Sequence, residues 1–319
     1  MRVRILDLDG SLTQQSRLLV GSSAEVVPLQ DWGPRLRMAC SFGRFRRFER
    51  LLGRCLPPER EPTITFCGSG DFHHVSLALV RRLREPFNLL VLDKHPDWMR
   101  AIPFLHCGTW LRHTACLPLL RRVYHVGGDL DFDNAWRWLA PSDELRRGKI
   151  TVIPAVRHLT RGLWRHVRNV PLRDGEGSVT PERIARLLRP FVPALARWPL
   201  YVSLDKDAMT SDEAVVNWDS GHLRMAEVSA VLGAFIGAAR GNVIGMDVVG
   251  DWSPVRLGGT FRRLLHWTEH PALAVDPAEA CRTNERANLA LLRSVAAVLA
   301  RPAGRATRPS RPADLRRAG

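Results

Sequence analysis

Short apolar runs alternate with longer amphipathic stretches along most of the chain. The apolar runs, rich in β-branched residues, predict strands at 2–7, 63–67, 88–93, 121–126, 150–155, 199–205 and 242–249. The amphipathic stretches predict helices at 75–84, 134–147, 181–195, 225–239 and 277–300. This alternation is typical of a doubly wound, mostly parallel sheet covered by helices on both faces. The predicted fold class is therefore a three-layer α/β architecture.

Neither an internal repeat nor a linker interrupts the chain before residue 300, which predicts a single domain over 1–300. Residues 301–319 carry six arginines against one aspartate, together with proline, glycine and few large apolar residues. Such a composition cannot bury enough apolar surface to fold, so we predict a disordered tail over 301–319.

The formal net charge of +15 raises the question of nucleic-acid binding. Of the 47 basic residues only three are lysines, and such a skew follows as readily from genomic base composition as from function. A basic stretch at 41–55 interleaves arginines with Phe42, Phe45 and Phe48, a pattern that suits a base-stacking surface or an amphipathic helix. We favour the helix, and expect nucleic-acid binding only weakly, through the tail.

The sequence predicts no membrane partner. No apolar run approaches the roughly 20 residues that a membrane span requires, and the first ten residues lack the apolar core of a signal peptide. The six cysteines are spread without C-x-x-C spacing, as expected of reduced thiols. We therefore expect a soluble cytoplasmic protein. The oligomeric state stays open, with a homo-oligomer among the options.

Polar residues cluster directly after three predicted strands, where ligand sites form in parallel sheets. The segments are GSGDFHHVS at 68–76, DKHPDWM at 93–99 and DKDAM at 205–209. Asp93 and His95 occupy alternate positions, as do Asp205 and Asp207, so each pair can face one point, with Asp97 folding back from its loop. Each segment alone could be an ordinary polar loop or helix start. Together, carboxylates and imidazoles predict a site for a divalent cation such as Mn²⁺, Zn²⁺ or Fe²⁺.

The order of these segments resembles the arginase/agmatinase (ureohydrolase) family. That family has a G-G-D-H-S turn, a D-A-H-x-D loop and an S-x-D-x-D strand end. The corresponding residues here are Gly70-Asp71-Phe72-His73-His74-Val75-Ser76, Asp93-Lys94-His95-Pro96-Asp97 and Ser203-Leu204-Asp205-Lys206-Asp207. The resemblance spans roughly residues 60–255 and implies an arginase-like fold.

The resemblance also implies a binuclear site, most simply for two Mn²⁺ ions. The first ion would be bound by His73 or His74, Asp93, Asp97 and Asp205. The second would be bound by His95, Asp93, Asp205 and Asp207. Two cations bridged by carboxylates lower the pKa of a water between them and give hydroxide at neutral pH. The implied activity is hydrolysis of a non-peptide C–N bond in a small cationic substrate with a guanidino or amidino group.

Three residues receive catalytic roles from the resemblance. Asp97 would orient the hydroxide by a hydrogen bond. His106, one residue before Cys107, would shuttle protons in place of the histidine of the family's S-H-G segment. Asp247, shorter than the glutamate of most relatives, would lie at the same rim as the metals and pair with the cationic substrate. Alternatively, Asp247 is a structural acid held by a nearby arginine.

Two further departures from the family motifs bear on the ligands and the substrate. The turn after 63–67 carries extra residues, so either His73 or His74 can be the ligand; we favour His74 because it is nearer the helix-opening Ser76. Met99 stands where family arginases have an asparagine just after D-x-H-x-D, which argues against an amino-acid substrate of the arginine type.

Two other function classes are weighed against this one. Asp7-Leu-Asp9-Gly10-Ser11 matches the opening motif of haloacid-dehalogenase-type phosphatases, which use the first aspartate as nucleophile together with Mg²⁺. Lys149 could supply their lysine, but the acids that follow it, Asp205 and Asp207, are better explained as metal ligands. The second alternative is a non-catalytic arginase-fold protein that binds metal or a partner.

Overall fold

The computed structural model describes residues 1–58, 61–100, 104–128, 140–173, 177, 179–255, 257, 260–270 and 274–300. The predicted tail over 301–319 and the first part of the helix predicted at 134–147 lie outside these ranges. Within the described ranges, no helix combines the length and the apolar character needed to cross a membrane.

A central sheet of eight strands, ordered β2-β1-β4-β10-β9-β5-β7-β8, organises the described part of the chain, and each of its pairings is parallel. A separate antiparallel pair joins β3 and β6. The strands are β1 (Arg2–Asp7), β2 (Glu25–Pro28), β3 (Ala39–Ser41), β4 (Thr63–Phe66), β5 (Phe87–Leu92), β6 (Phe104–His106), β7 (Leu120–Val126), β8 (Ile150–Ile153), β9 (Leu200–Asp205) and β10 (Val243–Val249). All seven predicted strands are confirmed, whereas the short β2, β3 and β6 were not predicted.

Helices cover both faces of this sheet. They are α1 (Ser16–Ser22), α2 (Gly33–Leu36), α3 (Phe42–Cys55), α4 (Val75–Val80), α5 (Trp110–Ala115), α6 (Ser142–Arg146), α7 (Pro181–Leu188), α8 (Val192–Leu195), α9 (Met225–Ala238), α10 (Thr260–Glu269) and α11 (Pro277–Leu299). The single helix predicted at 181–195 is wrong: Pro190 and Pro193 have no N–H to donate, and the chain forms two helices instead. The helix predicted at 75–84 ends at Val80, and α10 was not predicted.

Alternate residues of β5 show that the sheet is buried on both faces. Leu90 and Leu92 belong to one apolar cluster, which includes side chains of α7, α9 and α11. Leu89 and Val91 belong to a second cluster, which includes side chains of α3, α4 and α5. The predicted three-layer α/β architecture is therefore confirmed.

The basic stretch at 41–55 forms the amphipathic helix α3. Ser41 caps it by accepting a hydrogen bond from the Arg44 N–H, and Phe45, Phe48 and Leu52 are buried against the sheet face that carries α4 and α5. Phe45 and Phe48 are therefore core residues, as favoured from the sequence, and Phe42 packs partly buried against the same cluster.

Four neighbouring strands in the middle of the sheet, β4, β10, β9 and β5, place their carboxyl ends side by side. The loops that follow them converge at this edge, which is where open parallel sheets bind ligands. Three of these loops are the polar segments singled out in the sequence.

Candidate metal centre

The turn after β4 brings a histidine to the edge of the sheet. Gly68 has a φ of +81°, a left-handed conformation that glycine adopts without strain. A single 3₁₀ turn, Gly70–Phe72, then leads into His73. A Cβ at Gly70 would lie 2.9 Å from Asp205 Oδ2, so the turn passes very close to the carboxylates of β9.

His73 faces three carboxylates. Its Nδ1 lies 2.9 Å from Asp97 Oδ2, 3.2 Å from Asp93 Oδ2 and 3.4 Å from Asp205 Oδ2. All four side chains are buried. His73, Asp93 and Asp205 each offer one ligand atom within 4.8 Å of the others, which is close enough to share one metal ion.

A second group of the same kind adjoins the first. His95 Nδ1 lies 2.8 Å from Asp207 Oδ2, and the backbone N–H of His95 donates to Asp93 Oδ1 at 2.6 Å. Asp93, His95 and Asp207 again offer ligand atoms within 4.8 Å of one another. The two groups therefore share Asp93, an arrangement suited to two neighbouring cations bridged by a carboxylate.

Local backbone structure fixes the orientation of these carboxylates. Asp205 Oδ1 accepts the Asp207 N–H at 3.0 Å and so caps the 3₁₀ turn that follows β9. Asp207 Oδ1 accepts the Lys94 N–H at 3.1 Å, which ties the β5 loop to the β9 loop. Asp97, held at a φ of +49°, accepts the Trp110 indole N–H through Oδ2 at 2.7 Å. The acids are thus held in place before any ligand binds.

Crowding of acids inside the protein perturbs their protonation. Burial, together with the charge of Asp97, raises the pKa of Asp93 to about 7. Burial and the charge of Asp207 raise the pKa of Asp205 to about 7, and burial and the charge of Asp93 raise that of Asp207 to about 6. Burial also raises the pKa of Asp97. Without cations, the repulsion among these buried carboxylates is relieved only when some of them retain protons.

The pKa values of the His73 and His95 imidazoles are also raised. Burial opposes the charged form of His73, but its hydrogen bonds to Asp93 and Asp97 outweigh this and raise its pKa well above 6.5. Burial likewise opposes protonation of His95, and the charge and hydrogen bond of Asp207 overcome it. Protons therefore occupy positions that cations occupy in sites of this composition.

His74, favoured from the sequence as the ligand, points away from the carboxylates. Its buried ring packs against Phe45, with ring centroids 6.1 Å apart, and neither ring nitrogen has a hydrogen-bond partner within the described ranges. Burial lowers its pKa to about 3. The geometry favours His73 over His74, the reverse of the preference drawn from sequence, because His73 closes the 3₁₀ turn on the side of β5 and β9.

His106 lies beside the centre rather than in it. At the end of β6 it caps the turn Cys107–Thr109, and its Nδ1 accepts the Gly108 N–H at 3.0 Å. It belongs to neither His–carboxylate group. A Cβ at Gly108 would lie 3.2 Å from His106 Nδ1 and 3.7 Å from Asp97 Oδ1, so the imidazole lies near Asp97. Its role as a proton shuttle stays a prediction.

Asp247, expected at the rim, is fully buried beneath the centre. The strand β10 continues two residues beyond it, and its Oδ1 accepts the hydroxyls of Ser76 and Ser203, each at 2.7 Å. Burial raises its pKa, while the charge of His73 and these hydrogen bonds partly offset the shift. The expected rim position is therefore corrected: Asp247 is a buried acid that accepts hydrogen bonds from hydroxyl groups, and within the described ranges no arginine pairs with it. The residue that follows β10 is Gly250, which has no side chain to offer a substrate.

Gly250 is a further position where a glycine is required. Its φ is +95°, and a Cβ there would lie 2.5 Å from Asp205 Oδ1. Gly241 is a matched control because its φ of +73° carries similar strain while no atom lies within 4 Å of its Cβ position. We expect Gly250→Ala to lower the free energy of unfolding by about 1–2 kcal/mol more than Gly241→Ala, and to weaken metal binding as well. Denaturant unfolding and metal titration of both variants measure this; equal losses would contradict it.

Trp218 and Asp219 border the centre and were not predicted. The Trp218 ring lies 5.5 Å from that of His95, and its indole N–H donates to the buried Asp71 at 3.1 Å. Asp219 Oδ1 lies 3.5 Å from His95 Nε2, and Asp219 also pairs with Lys94. A sequence feature could have indicated them, because both residues belong to NWDSGHLRMAEV, a segment that resembles P-x-x-G-G-L-T-x-x-E of the arginase/agmatinase family.

The phosphatase-like motif at the end of β1 has a structural role. Asp9 accepts hydrogen bonds from Ser11, Ser69 and Ser253, and so ties the β4 and β10 loops to β1. Lys149 lies directly before β8, and five strands separate β8 from β1 in the sheet. The lysine and aspartates of the phosphatase hypothesis are therefore not brought together.

No protein-family model matches the chain. A curated protein of Thermotoga maritima, described as uncharacterized, is 26% identical over 192 residues. The match covers 60% of this chain and 59% of that protein, so the chain spans about three fifths of the length of this relative.

Solved structures match over much more of the chain. Proclavaminate amidino hydrolase from Streptomyces clavuligerus superposes with a TM-score of 0.51 at 16% identity, covering 92% of each chain. Arginase from Bacillus subtilis superposes with a TM-score of 0.51 at 12% identity, covering 94% of this chain and 98% of that one. Arginase from Medicago truncatula superposes with a TM-score of 0.50 at 14% identity, covering 93% of this chain and 86% of that one. Identities this low establish the fold alone. The chain has the arginase-like fold, a three-layer α/β architecture on a mostly parallel sheet.

Proposed function

We propose that this chain is an arginase-like hydrolase that uses two divalent metal ions to cleave a C–N bond of a guanidino or amidino substrate. The observation that carries the proposal is the pair of His–carboxylate groups that share Asp93 at the carboxyl ends of the central strands. Arginases and an amidino hydrolase among the structures with the same fold support the reaction class.

The residues of the centre fit such ions. The donors are imidazole nitrogens and carboxylate oxygens, a set that suits Mn²⁺ and similar cations. Asp93 Oδ2 is buried and faces His73 Nδ1 at 3.2 Å, so two proposed ligand atoms are already directed toward the same point. The proposed ligands are His73, Asp93, Asp97 and Asp205 for one ion, and His95, Asp93, Asp205 and Asp207 for the other.

Two cations held by these residues would supply a water of lowered pKa as the nucleophile for the substrate carbon. Asp97 orients this water through Oδ1, because Oδ2 already accepts the Trp110 indole N–H. As the carbon–oxygen bond forms and the C–N bond breaks, the leaving amine needs a proton. His106, close to Asp97, is the residue that we propose delivers it.

Metal analysis and a substrate panel test the proposal together. We expect the purified protein, dialysed with Mn²⁺, to retain about two ions per chain, as the proposed ligand sets require. With Mn²⁺ present, small cationic guanidino and amidino compounds are assayed for released urea, ammonia or amine. Two bound ions without turnover of any such compound would favour the non-catalytic alternative. A protein that retains no divalent metal would contradict the proposal.

A further inference from the structure

Behind His73, a chain of hydrogen bonds leads away from the candidate metal centre. His73 Nε2 lies 3.0 Å from Ser203 Oγ, and Ser203 Oγ lies 2.7 Å from Asp247 Oδ1. Ser76 Oγ contacts the same Asp247 oxygen at 2.7 Å. All four residues are at most 1% exposed, so water does not compete for these contacts.

The donor and acceptor of each hydrogen bond in this series can be assigned. A hydroxyl has one hydrogen, and Ser203 is close enough to Asp247 to donate it there. The Ser203 oxygen is then left to accept from His73, which requires a proton on Nε2. With Nε2 protonated, it is Nδ1 that turns toward Asp93, Asp97 and Asp205.

The backbone fixes the positions of the residues at both ends of this series of hydrogen bonds. Ser203 and Asp247 are register partners on the adjacent strands β9 and β10, and Ser203 lies two residues before the proposed ligand Asp205. Ser76 lies in α4, one turn after His73. The sheet that orients Asp205 thus orients the partner of His73 as well.

We propose that Ser203 and Asp247 are positioning residues: they hold the Nε2 proton of His73 and so present Nδ1 to the metal. The inference rests on the proposed function, since it assigns the partners of one proposed ligand. It replaces the substrate contact expected of Asp247 with a role beneath the centre. Removal of such partners typically weakens metal binding about 10–100-fold.

Two serines give a matched pair of variants for the test. Ser203→Ala and Ser76→Ala each remove one buried hydroxyl that donates to the same oxygen of Asp247, but of these two hydroxyls only that of Ser203 contacts the His73 ring. We expect similar losses of thermal stability. Competition with a metal chelator should show Mn²⁺ affinity about 10–100-fold lower in Ser203→Ala and within about threefold of wild type in Ser76→Ala. Equal metal affinities in the two variants would overturn the proposal.

A readout on the metal-free protein separates this inference from the proposed function. In ¹H–¹⁵N spectra of the imidazoles, we expect the Nε2 proton of His73 to be protected from exchange, with this protection kept in Ser76→Ala and lost in Ser203→Ala. A wild-type protein that binds no metal overturns the proposed function, whatever these spectra show. If the wild type binds two ions but Ser203→Ala leaves the metal affinity and the exchange protection of the Nε2 proton unchanged, only the positioning role fails.

Discussion

The Asp205→Ala variant should lose both metal ions and, with them, all measurable turnover. Asp205 belongs to the His73 group, with Oδ2 3.4 Å from Nδ1 of His73, and in the proposed ligand sets its carboxylate binds the second ion as well. A carboxylate that bridges two cations cannot be removed without loosening both. We expect the same of Asp93→Ala, because Asp93 belongs to both groups. Elemental analysis after dialysis measures the loss.

Two other aspartates at the centre provide the controls. Asp207 belongs to the group of His95 alone, so Asp207→Ala should mainly weaken one ion and leave about one per chain. Asp219 pairs with Lys94 and lies near His95 but belongs to neither group, so Asp219→Ala should keep both ions. A full metal complement in Asp205→Ala would show that the bridging assignment is wrong.

The strands and their end loops could be predicted because they depend on local patterns. Continuous apolar runs mark strands that are buried on both faces, and carboxylates directly after them can only collect at one edge of a parallel sheet. The expectation that Asp93, His95, Asp205 and Asp207 lie close together rested on this shared edge and on the resemblance to the ureohydrolase motifs. The pairing of β3 with β6 did not, because strands of three residues carry too little pattern.

The choice between His73 and His74 depended on backbone geometry that the sequence does not state. Adjacent residues in a turn point in different directions, and here the turn Gly70–Phe72 directs His73 to the acids and His74 into the core. Proximity to Ser76 did not indicate the ligand, because the Ser76 hydroxyl donates to the buried Asp247 and not to a carboxylate of the metal centre.

Asp247 was misplaced for a related reason. An acid near the end of an apolar run was expected at the rim, but β10 extends to Val249 and leaves Asp247 inside the sheet. Such a burial is tolerated because two serines from other elements donate to it, and these partners are 44 and 171 residues away in sequence. Only the tertiary structure brings them together.

The same cluster makes the stability of the metal-free protein depend on pH with a defined sign. His73 and His95 have folded pKa values well above 6.5, and Asp93 and Asp205 have folded values of about 7 instead of 3.8. Between pH 7 and 8.5, the folded chain therefore binds protons that the unfolded chain has lost. Groups with raised folded pKa values stabilise below those values and lose this contribution as the pH rises through them.

Other histidines do not reverse this sign in the chosen window. Burial lowers the pKa values of four imidazoles below 6.5, so above pH 7 they are mostly neutral in both the folded and the unfolded states. They are His74, His113, His125 and His266. The buried Cys67 and Cys107 thiols, with pKa values raised well above 9, act in the same direction as the cluster.

We therefore expect the chelator-treated protein to lose about 2 kcal/mol of stability between pH 7 and 8.5, seen as a fall of several degrees in Tm. Excess Mn²⁺ should raise the Tm increasingly over the same range, because the cations take the place of protons that the ligands no longer hold. Thermal unfolding at pH 7.0, 7.5, 8.0 and 8.5, with chelator and with Mn²⁺, measures both effects. In Asp93→Asn, which keeps the size of the side chain but removes its charge, the slope should flatten, because a neutral side chain no longer favours protonation of His73. A metal-free Tm that stays level or rises with pH would mean that the cluster does not retain these protons.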